Sequence, residues 1–217
     1  SLLTGQSEIF EAKSLVITIP LGVLQAEPDA NGAIQFVPEP TPILQAARRL
    51  AVGQVIRLVL RFEKAFWERN HDLQDVGFIL SQKPYFPTWW SAKPLDFPVI
   101  TAWAAGPHFD RLEHASETEL IQHALTTLAQ ISNIVPAPLE AAYLHRWDRD
   151  PLARGAYSYV PAGALEARRI LTQPVEGTLY FAGEATDVKG QSATVHGAIS
   201  SGERVARQVI DDIGLSR

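Results

Sequence analysis

Cysteine and methionine are both absent from the 217 residues. Without a thiol the chain has no disulfide framework, no thiolate metal site, no redox thiol and no sulfur that could tether a prosthetic group. The histidines (His71, His108, His114, His123, His145 and His196) form no HExxH or other close ligand pair, so no metal site is expected. Apolar runs stop at strand length, which excludes a membrane-spanning helix. The net charge of -5 is spread over mixed-sign segments with no basic block, which argues against nucleic acid and anionic membrane as partners. Arg48–Arg49 and Arg168–Arg169 read as solvated helix faces. Internal repeats and low-complexity tracts are missing too. No targeting segment is visible, and the reading is a cytoplasmic protein.

What is present is ordinary for a globular chain: 46% hydrophobic and 20% charged residues, enough to bury a real core. Residues 8–19 read as strand and residues 42–50 as a short helix. Val55–Phe62 reads as a strand with Ile56, Leu58, Leu60 and Phe62 on one face. Further strands are predicted around residues 76–80, 85–90, Val99–Ala105, 140–147 and 178–182. Ser116 stands three residues before Glu119 in a capping-box pattern, ahead of a stripe of Leu120, Ile121, Ala124, Leu125 and Leu128. Another helix is expected near residues 162–172. The fold class that follows is α+β: a mixed, largely antiparallel sheet flanked by helices.

Residues 179–205 carry the most specific signal. A short apolar strand ends at Gly183, which lets the backbone turn and approach a ligand, and Glu184 follows at once. A carboxylate at the carboxyl end of a strand in an α/β layer is placed to bond a ribose or ribityl hydroxyl. The helix beyond, about residues 194–213, has apolar side chains at Val195, Ala198, Ile199, Val205, Ala206, Val209 and Ile210. Its Gly197, Ala198, Ser201 and Gly202 admit close packing, and its first amides, at Thr194 and Val195, have no partner within the helix.

The run FAGEAT followed by ATVHGAISSG resembles the carboxyl-terminal FAD-binding signature of the flavin-dependent amine oxidases, the family of monoamine oxidases, polyamine oxidases and lysine-specific histone demethylases. LVITIPLGVL, IQFVPEP, RLAVGQVIRLVLRFEKAFW and WDRDPLARGAYSYVPAG are similar to segments of the same family in the same order, most closely in the histone demethylase branch. The resemblance implies a substrate domain over residues 21–177, with residues 1–20 and 178–217 as an end piece and the last strand and helix of an FAD-binding domain. The family's opening G-x-G-x-x-G turn, whose amides hold the FAD pyrophosphate, does not occur. The chain therefore reads as the rear portion of a larger oxidase, opening within the end of a strand hairpin. Its partner would be the missing amino-terminal FAD domain. Alone it is expected to expose apolar surface on its terminal elements and to form a homodimer or swapped oligomer.

The implied chemistry is FAD-dependent oxidation of an amine to an imine, with hydride transfer to a non-covalently held flavin and release of hydrogen peroxide. A small-molecule amine is the implied substrate. Resemblance assigns Tyr157 to one wall of an aromatic cage that orients the amine, and puts Thr194 where monoamine oxidases carry the second cage tyrosine. Gly183, Glu184, Thr194, Val195 and Trp147 fall at cofactor-binding positions. Trp89, Trp90 and Trp103 are further candidates for the pocket lining. Arg57 lies where the family has a lysine that holds a water against the flavin. Arginine keeps the charge but is wider, planar and never a base, so it either holds a water or bonds an acidic substrate. Two alternatives stand beside this reading: an L-amino-acid oxidase-like flavoprotein and a non-catalytic binding module. The WxxDPxARGxYSY segment argues against pigment-desaturating relatives.

Overall fold

Eight residues, Val55–Phe62, put an apolar side chain on one side at every second position, and they form one of the two longest strands among the described residues. The structure, a computed structural model, describes residues 8–214. The expected hairpin end before residue 8 lies outside them. In chain order the first elements are β1 (Leu15–Ile17), α1 (Leu21–Leu24), α2 (Thr41–Arg49), β2 (Ala51–Gly53) and β3 (Val55–Phe62). They are followed by β4 (Phe78–Leu80), β5 (Thr88–Ser91), β6 (Val99–Ala105), α3 (Pro107–Asp110), α4 (Glu117–Ser132) and β7 (Leu139–Arg146). The last are β8 (Tyr157–Tyr159), α5 (Leu165–Ile170), β9 (Leu179–Phe181) and α6 (Val195–Asp212). The α+β class is as expected. The first strand is shorter than the predicted residues 8–19, because only Leu15–Ile17 finds a partner strand.

The contacts divide the chain into two units. One is Gly53–Ala156; the other joins the chain up to Val52 to the chain from Tyr157 onward.

The continuous unit is an antiparallel five-stranded sheet in the order β4-β5-β6-β3-β7. Ile56, Leu58, Leu60 and Phe62 pack with Ile100, Ala102 and Ala104 against Leu120, Ala124 and Leu128 of α4. That helix starts at the predicted capping box: Glu119 accepts from the Ser116 amide at 2.8 Å while its own amide donates to Ser116 Oγ at 3.3 Å. Its C-cap, Asn133, adopts the left-handed conformation that asparagine tolerates. Trp89 is fully buried and donates Nε1–H to the Phe86 carbonyl at 2.8 Å, so it belongs to the core and not to a pocket. Its neighbour Trp90 points to the other face, as pleat alternation requires.

At the end of β7, Arg146 and Asp148 form a bidentate pair at 2.8 and 2.7 Å, and Arg146 also donates to the Glu113 carbonyl. Burial pushes the Asp148 carboxyl up, but hydrogen bonding and charge from Arg146 outweigh it and hold it below the usual carboxylate range. A depressed folded value means that the stabilisation is complete above the unfolded value of about 3.9 and is lost as pH falls through the folded one. Asp148→Asn is expected to cost about 1.5–3 kcal/mol at neutral pH, the range for hydrogen bonds to a charged group. In urea titrations the gap between variant and parent should close on acidification below about pH 4; a gap independent of pH would refute the pairing.

In the discontinuous unit β1 and β9 pair in parallel, Leu15 with Leu179 through Ile17 with Phe181. One side of this pair packs Ile17 and Phe181 against Ile43, Ala46 and Ala47 of α2 and Ala167 of α5. The other packs Tyr180 and Ala182 against Val205 of α6. Tyr180 Oη donates to Asp212 at 2.6 Å, tying the last turn of α6 to the strand. The buried residues of α6 are Gly197, Ser201 and Val205, whereas Val195 (73%) and Ile199 (59%) are exposed. Leu15 and Val16 of β1 are exposed as well, so the apolar surface expected on the terminal elements is there. Arg168 departs from its expected solvated position: it is buried, and its Nε has no hydrogen-bond partner among the described residues. Among the described residues, no helix is long and apolar enough to cross a membrane.

Candidate functional site

The site in the discontinuous unit is organised by one carboxylate. Glu184 Oε1 accepts the Ser158 amide at 2.9 Å, and Oε2 accepts Ser158 Oγ–H and the Ala193 amide, each at 2.7 Å. Ser158 is the middle residue of β8, so its neighbour Tyr157 is fixed on the same segment. Ala193 immediately precedes Thr194, the N-cap of α6. Three stretches far apart in sequence, holding Tyr157, Glu184 and Thr194, are therefore brought together.

The backbone permits this at two points. Gly183 has φ of 123°, a conformation closed to other residues, and its amide donates to Ser201 Oγ on α6 at 2.8 Å. Ala193 has φ of 61°, an unusual left-handed position for alanine. Strain of this kind persists only where surrounding contacts over-determine it, and here the bond to Glu184 supplies one of them. The loop between is held by buried Asp187, whose Oδ2 accepts the Gln191 amide at 2.6 Å and the Lys189 amide at 3.2 Å.

The hydroxyl of Thr194 is committed locally: it donates to the Gln191 carbonyl at 2.6 Å and accepts the Gly197 amide at 3.1 Å. The amides of Val195 and His196 precede the first intrahelical bond of α6. Arg204 braces the helix from behind, donating to the carbonyls of Phe181 and Thr172 and to Thr186 Oγ1. Burial pushes its guanidinium down, opposed by the charge of Asp187.

Arg57 and Trp147 belong to the other unit and form a separate group there. Arg57 lies opposite Trp103 on β6 and opposite His145 on β7, and the His145 and Trp147 rings are 4.1 Å apart. Arg57 is exposed, and no surface carboxylate pairs with it among the described residues; that partnership falls to Arg61, with Glu140 at 3.1 Å.

Residue-by-residue reading missed Ser158, Ala193, Asp187 and Arg204. Only Ser158 had a local signal, its place inside YSY beside the assigned tyrosine. The others act through bonds to residues several positions or a whole element away.

A family profile described as flavin containing amine oxidoreductase matches residues 1–210. The chain is 33% identical to a histone demethylase-like protein A of Aspergillus fumigatus, over 95% of its own length and 20% of that protein. It is 29% identical to lysine-specific histone demethylase 2 of Homo sapiens, over 92% of its own length and 25% of that protein. Among solved structures, putrescine oxidase bound to putrescine superposes with a TM-score of 0.73 at 20% identity, covering 92% of this chain and 43% of that one. Cyclohexylamine oxidase from Brevibacterium oxydans gives 0.72 at 20% identity, over 94% and 44%. The chain thus spans a quarter or less of these two curated relatives and under half of these solved chains.

Proposed function

Because this chain belongs to the family of flavin containing amine oxidoreductases, we propose that it is the rear part of an FAD-dependent amine oxidase. The observation that carries this reading is the Glu184 carboxylate, which gathers the Tyr157 strand and the start of α6 at one place. On this reading residues 1–20 and 178–217 belong to the FAD-binding domain and residues 21–177 to the substrate domain.

The residues present fit a flavin. A carboxylate has about four acceptor positions, and the described donors take three of those on Glu184, one on Oε1 and two on Oε2. Oε1 retains room for a ribityl hydroxyl. The Val195 and His196 amides suit the carbonyl-bearing edge of an isoalloxazine, and the dipole of α6 favours negative charge there by about 0.3–1 kcal/mol. Gly183 lets the backbone approach closely. Trp147 is assigned to the cofactor's surroundings as well. FAD, held non-covalently, would supply a two-electron acceptor for the hydride leaving the carbon next to nitrogen and would pass those electrons to dioxygen to give hydrogen peroxide.

The chain's own residues prepare the amine. An apolar, aromatic setting disfavours the ammonium form by desolvation and so supplies the lone pair that a C=N bond requires. Tyr157 orients that nitrogen, and Thr194, small and turned into its own cap, leaves the opposite side of the cage open to a bulkier amine. The exposed apolar residues of β1 and α6 would be covered by the remainder of the FAD domain, or in the isolated chain by a second copy.

The test is spectroscopic. The full-length protein with FAD should be yellow, and an amine should bleach it anaerobically and release peroxide in air. A panel of spermidine, benzylamine and amino acids that leaves the flavin oxidised would sink the reading. The isolated chain is expected to retain no FAD through gel filtration.

A further inference from the structure

The described residues bury two charged side chains, Asp187 and Arg168. Asp187 is satisfied, because its carboxylate accepts the Lys189 and Gln191 amides. Arg168 is not. It lies on α5 in the discontinuous unit, 8% exposed, beside Ala167 and one turn from Leu171, both of which belong to the core there. Its side chain makes no hydrogen bond, ion pair or ring contact among the described residues. Only Nε is sealed from solvent, so the terminal nitrogens of the fork still reach the surface. Other arginines of this unit do find acceptors: Arg169 pairs with Glu166 at 3.4 Å, and Arg204 donates to two carbonyls and a hydroxyl. A guanidinium cannot shed its charge, and a charge taken out of water without a partner destabilises the state that holds it.

We propose that Arg168 is a docking point for an acidic side chain, an aspartate or glutamate of the portion of the protein that completes the FAD-binding domain. The inference rests on the reading of this chain as the rear part of an oxidase and names the chemistry by which its discontinuous unit joins the rest. A fork whose stem is held in the core and whose tip meets the surface is set to grip a carboxylate bidentately. Leu165, one turn earlier on the same face of α5, is 66% exposed, so the cation stands beside an apolar contact. That combination suits a protein surface, whereas an inorganic anion gains nothing from the leucine. The unit also keeps a parallel pair of only two strands, β1 and β9, and parallel strands are ordinarily covered on both faces within a larger sheet. The chain spans 20% of one curated relative and 44% of one solved chain, which leaves ample sequence to supply the acid.

The test makes one substitution in two proteins. Arg168→Met keeps the apolar stem and removes the fork. In the isolated chain it should leave the urea midpoint unchanged or raise it, because no partner is lost and an uncompensated charge is gone. In the full-length protein it should increase the unfolded fraction at a fixed urea concentration by about 10- to 100-fold, the loss expected for hydrogen bonds to a charged group. Arg168→Lys, which keeps the charge without the fork, should fall between. Changing the acidic residues outside this chain one at a time to their amides should find one whose effect vanishes in the Arg168→Met background. Equal destabilisation of both proteins, or additive effects for every acidic residue, overturns the proposal. So does stabilisation of the isolated chain by inorganic phosphate or acetate that Arg168→Met abolishes, which would make this a free-anion site. Loss of a dimer of the isolated chain in the variant overturns it as well, since a second copy would then be the occupant. If the full-length protein stays colourless with FAD, the oxidase reading falls while the two denaturation curves still decide this one. If Arg168→Met does not fold, Arg168→Lys carries the same comparison.

Discussion

Gly197→Ala should unfold the start of α6. A methyl group there would fall inside contact distance of the Gln191 carbonyl oxygen, 2.8 Å from that carbonyl carbon and 3.2 Å from Asp187 Cβ. None of these atoms can yield easily. Gln191 is held by its amide bond to Asp187, and its carbonyl takes the Thr194 hydroxyl. The helix must move away, which breaks the cap at Thr194 and draws Ala193 off Glu184. Overpacking of this kind costs about 1–3 kcal/mol, and loss of an N-cap about 1 more. Gly202→Ala supplies the control, because nothing lies within 4 Å of its added methyl. In a helix interior that change is expected to stabilise by about 0.5–1 kcal/mol. Chemical denaturation of the two variants should therefore move in opposite directions; a Gly197→Ala protein as stable as its parent would contradict the close packing.

Glu184→Ala should have an effect of similar size on stability and a larger one on the cofactor. It leaves the amides of Ser158 and Ala193 and the Ser158 hydroxyl without their acceptor. Stranding donors costs about 1–3 kcal/mol each when buried, and these share one partner, so about 3 kcal/mol in total is expected. Glu184→Gln is the sharper probe. Its oxygen can replace Oε2, but its amide nitrogen then meets the Ser158 N–H, donor against donor. In the full-length protein either change should weaken FAD binding; about 3 kcal/mol corresponds to more than 100-fold in Kd. Retention of stoichiometric flavin by Glu184→Ala would remove this carboxylate from its assigned role.

Much of the architecture was legible where it depends on near neighbours. The period-two pattern of Val55–Phe62 placed that strand with its observed bounds, the strand expected around Val99–Ala105 forms over that span, and Ser116 and Glu119 announced the start of α4. Side-chain parity was harder. Trp89 and Trp90 are chemically identical, and only the register of β5 against β6 buries the first and leaves the second on the open face. For α6 the sequence marks Gly197 and Ser201 for close packing but not what packs there. Those small residues face the helix's own strand and loop, which reverses the usual inference that apolar residues turn inward. The three-way junction at Glu184 could not be derived from spacing, since Ser158 lies 26 positions away; family resemblance singles out Glu184 and Tyr157 but not the serine between them. Arg168 shows the limit of reading adjacent basic residues as solvated, because burial is decided by what packs over a helix and not by its charge.

The parallel pairing of β1 with β9 has a bearing on the order in which the protein acquires its structure. These strands are separated in sequence by the whole Gly53–Ala156 unit, so their ladder cannot close until β9 has left the ribosome. The Gly53–Ala156 sheet, whose strands are all drawn from one continuous stretch, has no such wait. Loop-closure entropy and topology both favour the early appearance of local structure, and domains fold as units during synthesis. A nascent chain halted shortly after residue 156 should already protect β3 and β6 from hydrogen exchange, while β1 remains unpartnered until the last strand arrives.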